Sequence, residues 1–433
     1  MTNKTLQVLS VCTSDSSGGA ARAAYRIHLS QKKLGVDSRM FVMYKQNDDP
    51  DIITLDSFVP HNPAYKAFDW IRYKCLNKLQ HARWNRYPDR EKVVMSDLRG
   101  ADLHGALQKL DYDILHLHWI NQRFIPLSQL PKDKPIVWTL HDSWPFCGVC
   151  HYFLDCEKYK DHCGNCPFLH SNNDNDLSRQ IWEKKKNAYK DLNLHIVTPS
   201  QWLGNCAKES SLFGRFPVTV IPNGLDTNIY RPLNENEISP RWSDLRDKLK
   251  GKRTILYGAV NAATDKIKGF THLLSALQQV EKTGHGNDFN LVVFGASKSE
   301  LGLDLNIPVH YVGYVSNSDE LVSLYNMADV MVVPSLTENL SCAIMESLSC
   351  ETPVAAFNIG GNSDMIEHKT NGYLASKQDN NDLANGILWC LNNNENDRLG
   401  KAGRKRVLEK YTYDVVGNQY KSLYDAISNR ISS

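Results

Sequence analysis

Glu338 and Glu346 are two carboxylates eight positions apart, and this spacing could hold one hydroxyl-rich ligand. Glu338 lies in the polar loop from Leu336 to Asn339, and Glu346 lies in a segment whose apolar residues recur at one-turn spacing, as in a helix. Eight residues of helix rise about 12 Å, so the pair could span the sugar and the ribose of a nucleotide-sugar. The alternative for Glu346 is the ordinary role of a helical glutamate, a cap or a solvated face.

These carboxylates need a rigid support, and the chain around them, from Ala328 to Gly361, predicts a parallel βαβ unit. Val330 to Val333 is an apolar, β-branched run, which is typical of a strand buried on both faces, and Pro334 ends it. A second run of this kind extends from Pro353 to Phe357. Because open α/β sheets bind ligands at the carboxyl ends of their strands, the loops after both runs are candidate site loops.

The Glu-x7-Glu spacing belongs to a series of elements in fixed order, preceded by Pro334-Ser335 and followed by Pro353-Val354 and Gly360-Gly361. This series resembles the retaining family-four glycosyltransferases of the GT-B fold. The resemblance implies an α/β protein with two Rossmann-like domains whose parallel sheets face an interdomain cleft. It also implies a hexosyltransferase that moves a sugar from a nucleotide-sugar with retention of anomeric configuration.

The resemblance also assigns roles to residues. Glu338 and His141 would be catalytic, and Glu346 would accept hydrogen bonds from the two ribose hydroxyls. Glu338 and the N–H groups after it would hold the sugar. The family suggests a front-face substitution without an enzyme nucleophile, and no catalytic metal ion is expected. The donor-binding residues would be Gly18, Gly19, Lys268, Asn339, Leu340, Ser341 and Glu346.

A predicted strand, a glycine-containing loop and a predicted helix open the chain. The strand covers Leu6 to Val11, Gly18-Gly19 close the loop, and the helix ends at Gly35. This arrangement brings backbone N–H groups toward an anion, although ordinary turn chemistry explains most glycine pairs. In the family this loop faces the donor and the acceptor.

Two further predicted strands end in histidines. Asp113 to Trp119 contains His116 and His118, and Pro135 to Leu140 runs into His141-Asp142. Strand ends line the ligand crevice of such sheets, although a lone histidine is more often structural. His141-Asp142 matches the family's His-Asp, whose histidine faces the donor sugar and acceptor. His118 matches less specifically and is an acceptor-side candidate.

Five of the eleven cysteines crowd into positions 147 to 166, with two C-x-x-C pairs. Paired thiolates joined by a short polar loop suit a structural tetrahedral zinc ion. The resembling polysaccharide transferases have cysteines that match Cys150, Cys156, Cys163 and Cys166, so these four are the predicted ligands and Cys147 is a spare thiol. Free or disulfide-paired cysteines and an iron–sulfur cluster are the alternatives, and a reducing compartment disfavours disulfides.

Lys268-Gly269, after the predicted strand from Thr254 to Gly258, matches the family's Lys-Gly, whose lysine binds the donor diphosphate as a point charge. The chain departs from the family pattern just after that strand, where an arginine is usual and the sequence reaches Asn261 without one. Neutralisation of phosphate would then rest on Lys268, assisted by Lys266 and by helix-end N–H groups.

Residues 64–87 are predicted to form a basic, aromatic, helical insertion. Its apolar stripe consists of Phe68, Ile71, Cys75 and Leu79, and Asp69 is its one acidic residue. Two interpretations fit: a core-facing helix with a solvated basic face, or a helix that lies on an anionic membrane and helps to collect a lipid-linked acceptor. The basic residues are Lys66, Arg72, Lys74, Lys78, Arg83 and Arg86.

A chain of 433 residues suits two domains of about 200 residues each. The predicted domains are 1–222, which carries the cysteine-rich insertion and also takes the C-terminal helix 413–433, and 223–412, which would bind the nucleotide-sugar. Within them, residues 182–186 are predicted to form a solvated charged face, His195 to Ser200 the last strand of the first domain, and residues 234–252 a polar connection.

The net charge of +2 gives no global field that would attract nucleic acid. No run approaches the roughly 20 apolar residues of a membrane span, and the amino terminus lacks the pattern of a signal peptide. A cytoplasmic location is expected, with the inner face of the membrane as the alternative place.

The cysteine-rich segment resembles that of exopolysaccharide and lipopolysaccharide assembly transferases. The expected donor is a UDP- or GDP-sugar, and the expected acceptor is a glycan or lipid-linked oligosaccharide in bacterial surface polysaccharide (exopolysaccharide, capsule or lipopolysaccharide) synthesis. A non-catalytic nucleotide-sugar-binding or scaffold protein on the same fold is the alternative, which the missing arginine favours. A GT-B epimerase is a further enzymatic alternative.

Overall fold

The computed structural model describes residues 6–60, 62–94, 104–258, 265–298 and 305–432. The chain divides into two compact units. Unit 1 consists of Met1–Ile221 and Gly417–Ser433, and unit 2 consists of Pro222–Val416. Asn261, where the family's usual arginine is missing, lies outside the described residues.

Unit 1 is built on a parallel sheet of seven strands in the order β3-β2-β1-β4-β5-β6-β7. The strand after His195 to Ser200 joins the same sheet, so the expectation that this stretch forms the last strand of the domain is wrong. The strands are β1 Gln7–Ser14, β2 Asp37–Tyr44, β3 Ile52–Thr54, β4 Ile114–Leu117, β5 Ile136–Thr139, β6 Leu194–Thr198 and β7 Val218–Val220.

The helices of unit 1 begin with local caps where the sequence offers them. The Asp176 carboxylate accepts from the N–H groups of Ser178 and Arg179, and the Ser200 hydroxyl accepts from the N–H of Leu203. The helices before the second unit are α1 Gly19–Lys33, α2 Pro63–Trp84, α3 His104–Lys109, α4 Leu177–Tyr189 and α5 Gln201–Glu209.

Unit 2 has a six-stranded parallel sheet in the order β10-β9-β8-β11-β12-β13. Its strands are β8 Arg253–Gly258, β9 Phe289–Phe294, β10 Val309–Gly313, β11 Val330–Val333, β12 Val354–Phe357 and β13 Gly372–Ala375. Its helices are α6 Ser243–Leu249, α7 Phe270–Val280, α8 Ser318–Asn326, α9 Cys342–Ser349, α10 Asn362–Met365, α11 Asn380–Asn393 and α12 Arg398–Lys410.

Successive residues of the central strands of unit 2 belong to opposite cores. Val330 and Val332 pack in one apolar cluster, and Met331 and Val333 pack in the other. The sheet is therefore covered on both faces, which explains the unbroken apolar run of this strand. The predicted α/β class with parallel sheets is confirmed in both units.

The last helix, α13 Tyr413–Ser432, begins in unit 2 and continues from Gly417 in unit 1. The hydroxyl groups of Tyr420 and Tyr424, both buried, lie 2.9 Å from Thr139 Oγ1 and 2.7 Å from His116 Nδ1. The last helix therefore contributes buried side chains to the core formed by the first part of the chain.

Two expectations about polar segments are wrong, and one of the two interpretations of α2 is excluded. Trp182 and Lys185, placed in a solvated face, are buried in unit 1. Residues 234–252 contain α6, and Leu245 is buried in the core of unit 2 rather than in a polar connection. The apolar stripe of α2 is exposed, which excludes a core-facing stripe on that helix.

Within the described parts of the chain, no helix combines the length and the apolar character that a bilayer span requires.

Candidate functional site

The loop that follows β11 carries Glu338 and holds it in a charged cluster. Glu338 Oε1 accepts a hydrogen bond from Lys268 Nζ at 3.0 Å and one from Ser335 Oγ at 2.9 Å. The Glu338 side chain is 16% exposed and that of Lys268 29% exposed, so the pair is partly screened from water but remains reachable by a ligand. The structure therefore brings together the two unit 2 residues that were predicted to act on the donor sugar and its diphosphate.

Two glycines fix the backbone on either side of this pair. Gly360 has φ +50°, and a Cβ at this position would collide with the carbonyl oxygen of Glu338, which also accepts from the N–H of Gly361 at 3.2 Å. Gly269 has φ +69°, and a Cβ there would collide with the carbonyl oxygen of Pro334. Only glycine combines this backbone conformation with so close an approach.

The turn that carries Lys268 is held against the Glu338 loop. The Asp265 carboxylate accepts from the N–H of Ile267 at 3.0 Å, and the carbonyl of Ile267 accepts from the N–H of Leu336 at 2.8 Å. This backbone hydrogen bond joins two segments about seventy positions apart in the chain. It explains why the Lys268 ammonium reaches Glu338.

Asn339, Leu340 and Ser341 lead from Glu338 into α9. Leu340 and Ser341 are buried, Asn339 is half-buried, and the hydroxyl of Ser341 makes no capping hydrogen bond at the start of the helix. The first N–H groups of a helix carry a partial positive charge and have no partner within the helix. The predicted donor-binding residues therefore lie where backbone groups favour an anion.

Glu346 lies in α9 and is 5% exposed. Its Oε2 accepts a hydrogen bond from the Tyr325 hydroxyl at 3.1 Å, and burial together with this carboxylate raises the pKa of Tyr325 well above its ordinary value. A solvated face is therefore excluded for Glu346. The expected helical rise of about 12 Å between the two carboxylates does not apply, because α9 begins at Cys342 and Glu338 precedes it in a loop.

In unit 1 the structure brings His118 and His141 together. His118 Nδ1 lies 3.1 Å from His141 Nε2, and the two rings stack with centroids 5.3 Å apart. Burial lowers the pKa of His141 to about 4 and lowers that of His118 well below its ordinary value. His118 Nε2 is buried and has no hydrogen-bond partner among the described residues. At neutral pH both rings are uncharged.

His116 and Asp142, the neighbours of these histidines in sequence, have structural roles. His116 is fully buried, and its Nε2 lies 2.7 Å from Thr139 Oγ1. Asp142 accepts from Trp119 Nε1 at 2.9 Å and from the N–H of Trp144 at 3.0 Å. The carboxylate thus fixes the turn after β5, on which His141 lies.

Gly18 and Gly19 begin α1 at an exposed corner of unit 1. Gly18 has φ +89°, and no atom lies within 4 Å of a Cβ built on either glycine. The preceding Asp15 is buried and holds the loop through the N–H groups of Gln46 and Asn47, at 3.0 and 2.8 Å. The start of the helix is therefore not covered by neighbouring atoms at these two glycines.

The cysteine segment is compact and mostly buried. Gly148 donates its N–H to Cys163 Sγ at 3.1 Å, and burial, with the nearby Cys150 thiol as a further cause, raises the pKa of Cys163 and Cys166 to about 12. Cys156 is half-buried. Among the described residues, which include all the cysteines, no group of three or more His, Cys, Asp or Glu side chains has the arrangement that holds a metal ion. The zinc site stays a prediction.

A buried lysine that the sequence did not single out supports the turn after His141. Lys185 Nζ donates to the carbonyls of Cys147 at 2.8 Å, of Gly148 at 3.0 Å and of Trp144, and it lies 3.8 Å from the centroid of the Trp144 ring. Ser335 and Tyr325, which bind the two carboxylates, were missed as well. Of these residues, only Ser335 could have been found from the sequence, because it precedes Glu338 by three positions in the same loop.

Two family models match the chain, the first mainly in unit 1 and the second within unit 2. "Glycosyltransferase Family 4" matches residues 17–229, and "Glycosyl transferases group 1" matches residues 241–406. The chain belongs to glycosyltransferase family four. Enzymes of this family are retaining glycosyltransferases that use nucleotide-sugar donors, and the chain is therefore an enzyme of this type.

Relatives of this family-four glycosyltransferase include proteins of surface polysaccharide synthesis. WcaC of Escherichia coli (strain K12), named as a colanic acid biosynthesis glycosyl transferase, is 26% identical over 380 residues, which are 84% of this chain and 86% of WcaC.

Solved structures show the GT-B fold. A glycosyltransferase from Rickettsia africae ESF-5 has a TM-score of 0.66 at 16% identity, covering 98% of this chain and 99% of that chain. Anabaena HepE, solved in complex with UDP and glucose, has a TM-score of 0.60 at 16% identity, covering 97% of this chain and 99% of HepE.

Proposed function

We propose that this enzyme transfers a hexose from a UDP-sugar to a lipid-linked oligosaccharide during assembly of a bacterial surface polysaccharide. The observation that carries the proposal is the hydrogen-bonded pair of Lys268 and Glu338 in the loop after β11. A cation beside a carboxylate, next to a helix amino terminus, is suited to a ligand that carries phosphates and hydroxyl groups together.

In this proposal the Lys268 ammonium stabilises the departing diphosphate. As the glycosidic bond loosens, negative charge grows on the leaving group, and preorganised cations and N–H groups lower the energy of that state. The N–H groups of residues 339–341 would contribute at the start of α9, where the Ser341 side chain makes no capping bond. Lys266 is exposed in the same turn and would assist.

Glu346 is the proposed ribose acceptor. Its carboxylate is buried and is oriented by the Tyr325 hydroxyl, and each carboxylate oxygen can accept more than one hydrogen bond. Glu338 would accept from hydroxyls of the sugar while Lys268 and Ser335 fix its position. The two carboxylates thus act by binding and orientation, with no covalent intermediate.

The neutral histidines of unit 1 are the proposed contacts for the sugar and acceptor. A neutral ring can donate from one nitrogen and accept at the other, so His141 could hold a hydroxyl without a proton being gained or lost. Gly18 and Gly19 would approach the donor through their N–H groups. His118, which shares a hydrogen bond with His141, would set the tautomer of that ring.

The finer assignments of donor and acceptor draw on the comparisons. HepE was solved with UDP, which supports UDP over GDP for this chain. The name of WcaC, a relative along most of the chain, supports a surface polysaccharide as the product.

The carboxylates give the direct test of this function. A thermal-shift screen of UDP- and GDP-sugars identifies the donor, and release of nucleoside diphosphate from it then measures turnover. Glu338→Gln and Glu346→Ala should each raise the barrier by about 2–4 kcal/mol, which is a fall of roughly 30- to 900-fold in kcat/KM. Glu395→Gln, at an exposed carboxylate of the same unit, is the matched control and should keep wild-type activity.

Activity of both variants within a few-fold of wild type would contradict these roles. Donor binding by the wild type without release of diphosphate, with or without acceptor, would favour the non-catalytic alternative.

We propose separately that Cys150, Cys156, Cys163 and Cys166 bind a structural zinc ion. Cys150 lies near enough to Cys156, Cys163 and Cys166 to contribute to the raised pKa of each thiol, and the N–H of Gly148 donates to Cys163 Sγ, a contact that would stabilise a thiolate. The ion would tie the segment together without entering the reaction. Metal analysis of the purified protein should find about one zinc per chain, and less than about half an equivalent would count against the site.

A further inference from the structure

A buried cation in α4 contacts the turn that follows His141. Lys185 is the central residue of three consecutive lysines, and its side chain is fully buried while Lys184 and Lys186 are exposed. A lysine is rarely buried in this way unless hydrogen-bond partners compensate for the loss of water around its charge. The positions of those partners therefore show what the cation holds in place.

The partners of Lys185 are backbone carbonyl groups in the turn of residues 142–148. Its Nζ donates to the carbonyls of Cys147 at 2.8 Å, of Gly148 at 3.0 Å and of Trp144, and it lies 3.8 Å from the centroid of the Trp144 ring. Three carbonyl acceptors require three N–H donors, which a lysine supplies only as an ammonium ion. The ammonium thus uses all of its donors on the backbone of this turn.

Other parts of α4 hold the same turn. The Tyr189 hydroxyl, one helical turn after Lys185, donates to the carbonyl of Pro145 at 2.9 Å. A Cβ on Gly148 would lie 2.5 Å from the carbonyl oxygen of Ser178, so the turn lies directly against the first turn of the helix. The carbonyls that accept from α4 side chains are those of Trp144, Pro145, Cys147 and Gly148.

Trp144 connects these contacts with the candidate site. Its carbonyl accepts from Lys185, and its N–H donates to the Asp142 carboxylate at 3.0 Å, so side chains hold this residue at both of its backbone polar groups. Asp142 follows His141 directly and also accepts from Trp119 Nε1 at 2.9 Å. A displacement of Trp144 would therefore move Asp142 and, with it, the backbone of His141.

The charge of Lys185 also favours the ionised form of Asp142. Burial raises the pKa of Asp142, whereas His151, the two N–H donors of the carboxylate and the Lys185 ammonium oppose this rise. Hydrogen bonds to an ionised carboxylate are stronger than those to a neutral carboxyl group. Removal of the cation should therefore weaken the hydrogen bonds at both backbone groups of Trp144.

We propose that Lys185 is a positioning residue for His141, which acts through the turn of residues 142–148. In this role the ammonium fixes the backbone from which the His141 ring extends and does not act on the substrate itself. A displacement of about 1 Å in a group that contacts the substrate can lower the rate on the order of a hundred-fold, so the position of this turn affects turnover. The inference rests on the proposed function, in which His141 contacts the sugar and the acceptor.

Two variants of α4 test this role. Lys185→Met keeps the unbranched stem but leaves three carbonyls without their donor, and it should lower kcat on the order of a hundred-fold. Its affinity for UDP, measured by calorimetry, should be unchanged, because the proposed diphosphate contacts belong to unit 2. Tyr189→Phe removes one neutral hydrogen bond to the same turn and should lower kcat by about two- to tenfold, which tests the role even if the methionine variant does not fold.

Controls separate positioning from stability. Leu203→Ala, at a buried leucine of α5, should lower the melting temperature and keep the wild-type kcat, and Lys190→Met, at an exposed lysine, should change neither. In a His141→Ala background, Lys185→Met should lower kcat by no more than about two-fold further, because residues that act as one unit are not additive.

Ring signals of isotope-labelled histidines, observed by NMR, test the inference without catalysis. The His141 signal, assigned through its loss in His141→Ala, should shift in Lys185→Met and Tyr189→Phe but not in Leu203→Ala. An unchanged His141 signal would overturn the inference, and so would wild-type kcat in a folded Lys185→Met or full additivity with His141→Ala. No release of diphosphate by the wild type from any UDP- or GDP-sugar would instead contradict the proposed function, while the His141 signal would still report on the position of the ring.

Discussion

Three neighbouring histidines of unit 1, His116, His118 and His141, are held neutral by burial. Burial lowers the pKa of His116 to about 3 and that of His141 to about 4, and it lowers the pKa of His118 well below its ordinary value. His116 also accepts or donates at both nitrogens, toward Thr139 and Tyr424, at 2.7 Å each. The folded structure therefore requires these imidazole rings to be neutral, and their protonation destabilises it.

This predicts that unit 1 loses stability as the pH falls. The unfolded chain binds protons at these histidines below about pH 6.5 and the folded chain does not, so the free energy of unfolding should decrease through the window from about 6.5 to about 4. Between pH 7 and pH 5 the loss should be about 2 kcal/mol for each such histidine. Urea unfolding of the protein at a series of pH values measures it.

Variants at single histidines show which residues cause this decrease in the free energy of unfolding. His116→Asn should be less stable than wild type at pH 7 but should show a shallower decline toward pH 5, since one proton-binding group of the unfolded state is gone. His170→Gln, at an exposed ring in the same unit, should follow the wild-type decline. An equal slope in all three proteins would mean that His116 is protonated in the folded state.

Lys268 is the cation on which donor binding is expected to depend. Its Nζ lies 3.0 Å from Glu338 Oε1, so it has two roles: it neutralises phosphate and it holds the carboxylate. Lys268→Met should lower kcat/KM by roughly 100-fold or more and should weaken UDP binding measured by calorimetry. Lys268→Arg, which keeps the charge but not the geometry, should restore part of the UDP affinity and little of the turnover.

The exposed Lys252 in the same unit provides the control, and Lys252→Met should leave both measurements unchanged. If Lys268→Met binds UDP as tightly as wild type, the diphosphate is neutralised elsewhere, and residues near Asn261 would be the next to test.

At the scale of elements, the site depends on close contacts that two neighbouring segments make with the backbone of the loop carrying Glu338. The loop after β12 contacts the carbonyl of Glu338 at Gly360, and the turn before α7 contacts the carbonyl of Pro334 at Gly269. No side chain larger than hydrogen fits either place. The position of Glu338 is therefore set by backbone contacts from elements on both sides of it, as expected for a site preorganised by its scaffold.

Gly360→Ala should accordingly lower turnover more than it lowers stability. The added methyl group must displace the Glu338 carbonyl, and a shift of about 1 Å at a reacting group can lower the rate on the order of a hundred-fold. Gly251→Ala is the matched control: its φ of +80° is also left-handed, but no atom lies within 4 Å of the new Cβ. Melting temperature and kcat/KM of both variants separate strain from displacement, and equal kcat/KM values would show that the contact does not position Glu338.

Sequence patterns predicted these elements better than they predicted individual environments. The apolar runs of β11 and β12 mark these strands within a few residues because both strands are buried on both faces, a local signal. The burial of Lys185 left no such signal. Its three carbonyl partners come from residues about forty positions earlier in the chain, so a charge run that reads as solvated becomes part of the core only after the chain folds.

The same distinction applies to the candidate site. Glu338, Lys268 and His141 were found because they stand in motifs of a known family, whereas the partners that hold two of them in place, Ser335 for Glu338 and His118 for His141, act through contacts that a motif does not encode. The sequence also left open whether the apolar stripe of α2 faces the core or an outer surface. Its periodicity is that of an ordinary core-facing helix, and only the position of Trp84 and Leu76 against the protein reveals which side is seated.

At the scale of the whole molecule, unit 1 is discontinuous in sequence. It ends at Ile221 and is resumed at Gly417, and α13 supplies the buried rings of Tyr420 and Tyr424. Gln31 Nε2 donates to the Tyr424 hydroxyl at 2.7 Å, which links the last helix to α1 and, through His116, to β4. The first half of the chain therefore cannot complete its core until the last residues are present.

Loss of α13 should therefore unfold unit 1 and spare unit 2. Tyr424→Phe removes one hydroxyl and should destabilise unit 1 by about 1–3 kcal/mol, because His116 Nδ1 and Gln31 lose a buried partner. Truncation after Val416 should expose residues 6–221 to hydrogen exchange while residues 222–416 keep their protection. Tyr44→Phe, at an exposed tyrosine of unit 1, is the control and should be neutral. Protection of unit 1 in the truncated protein equal to that in the full chain would show that the two tyrosines only cover a core that is already complete.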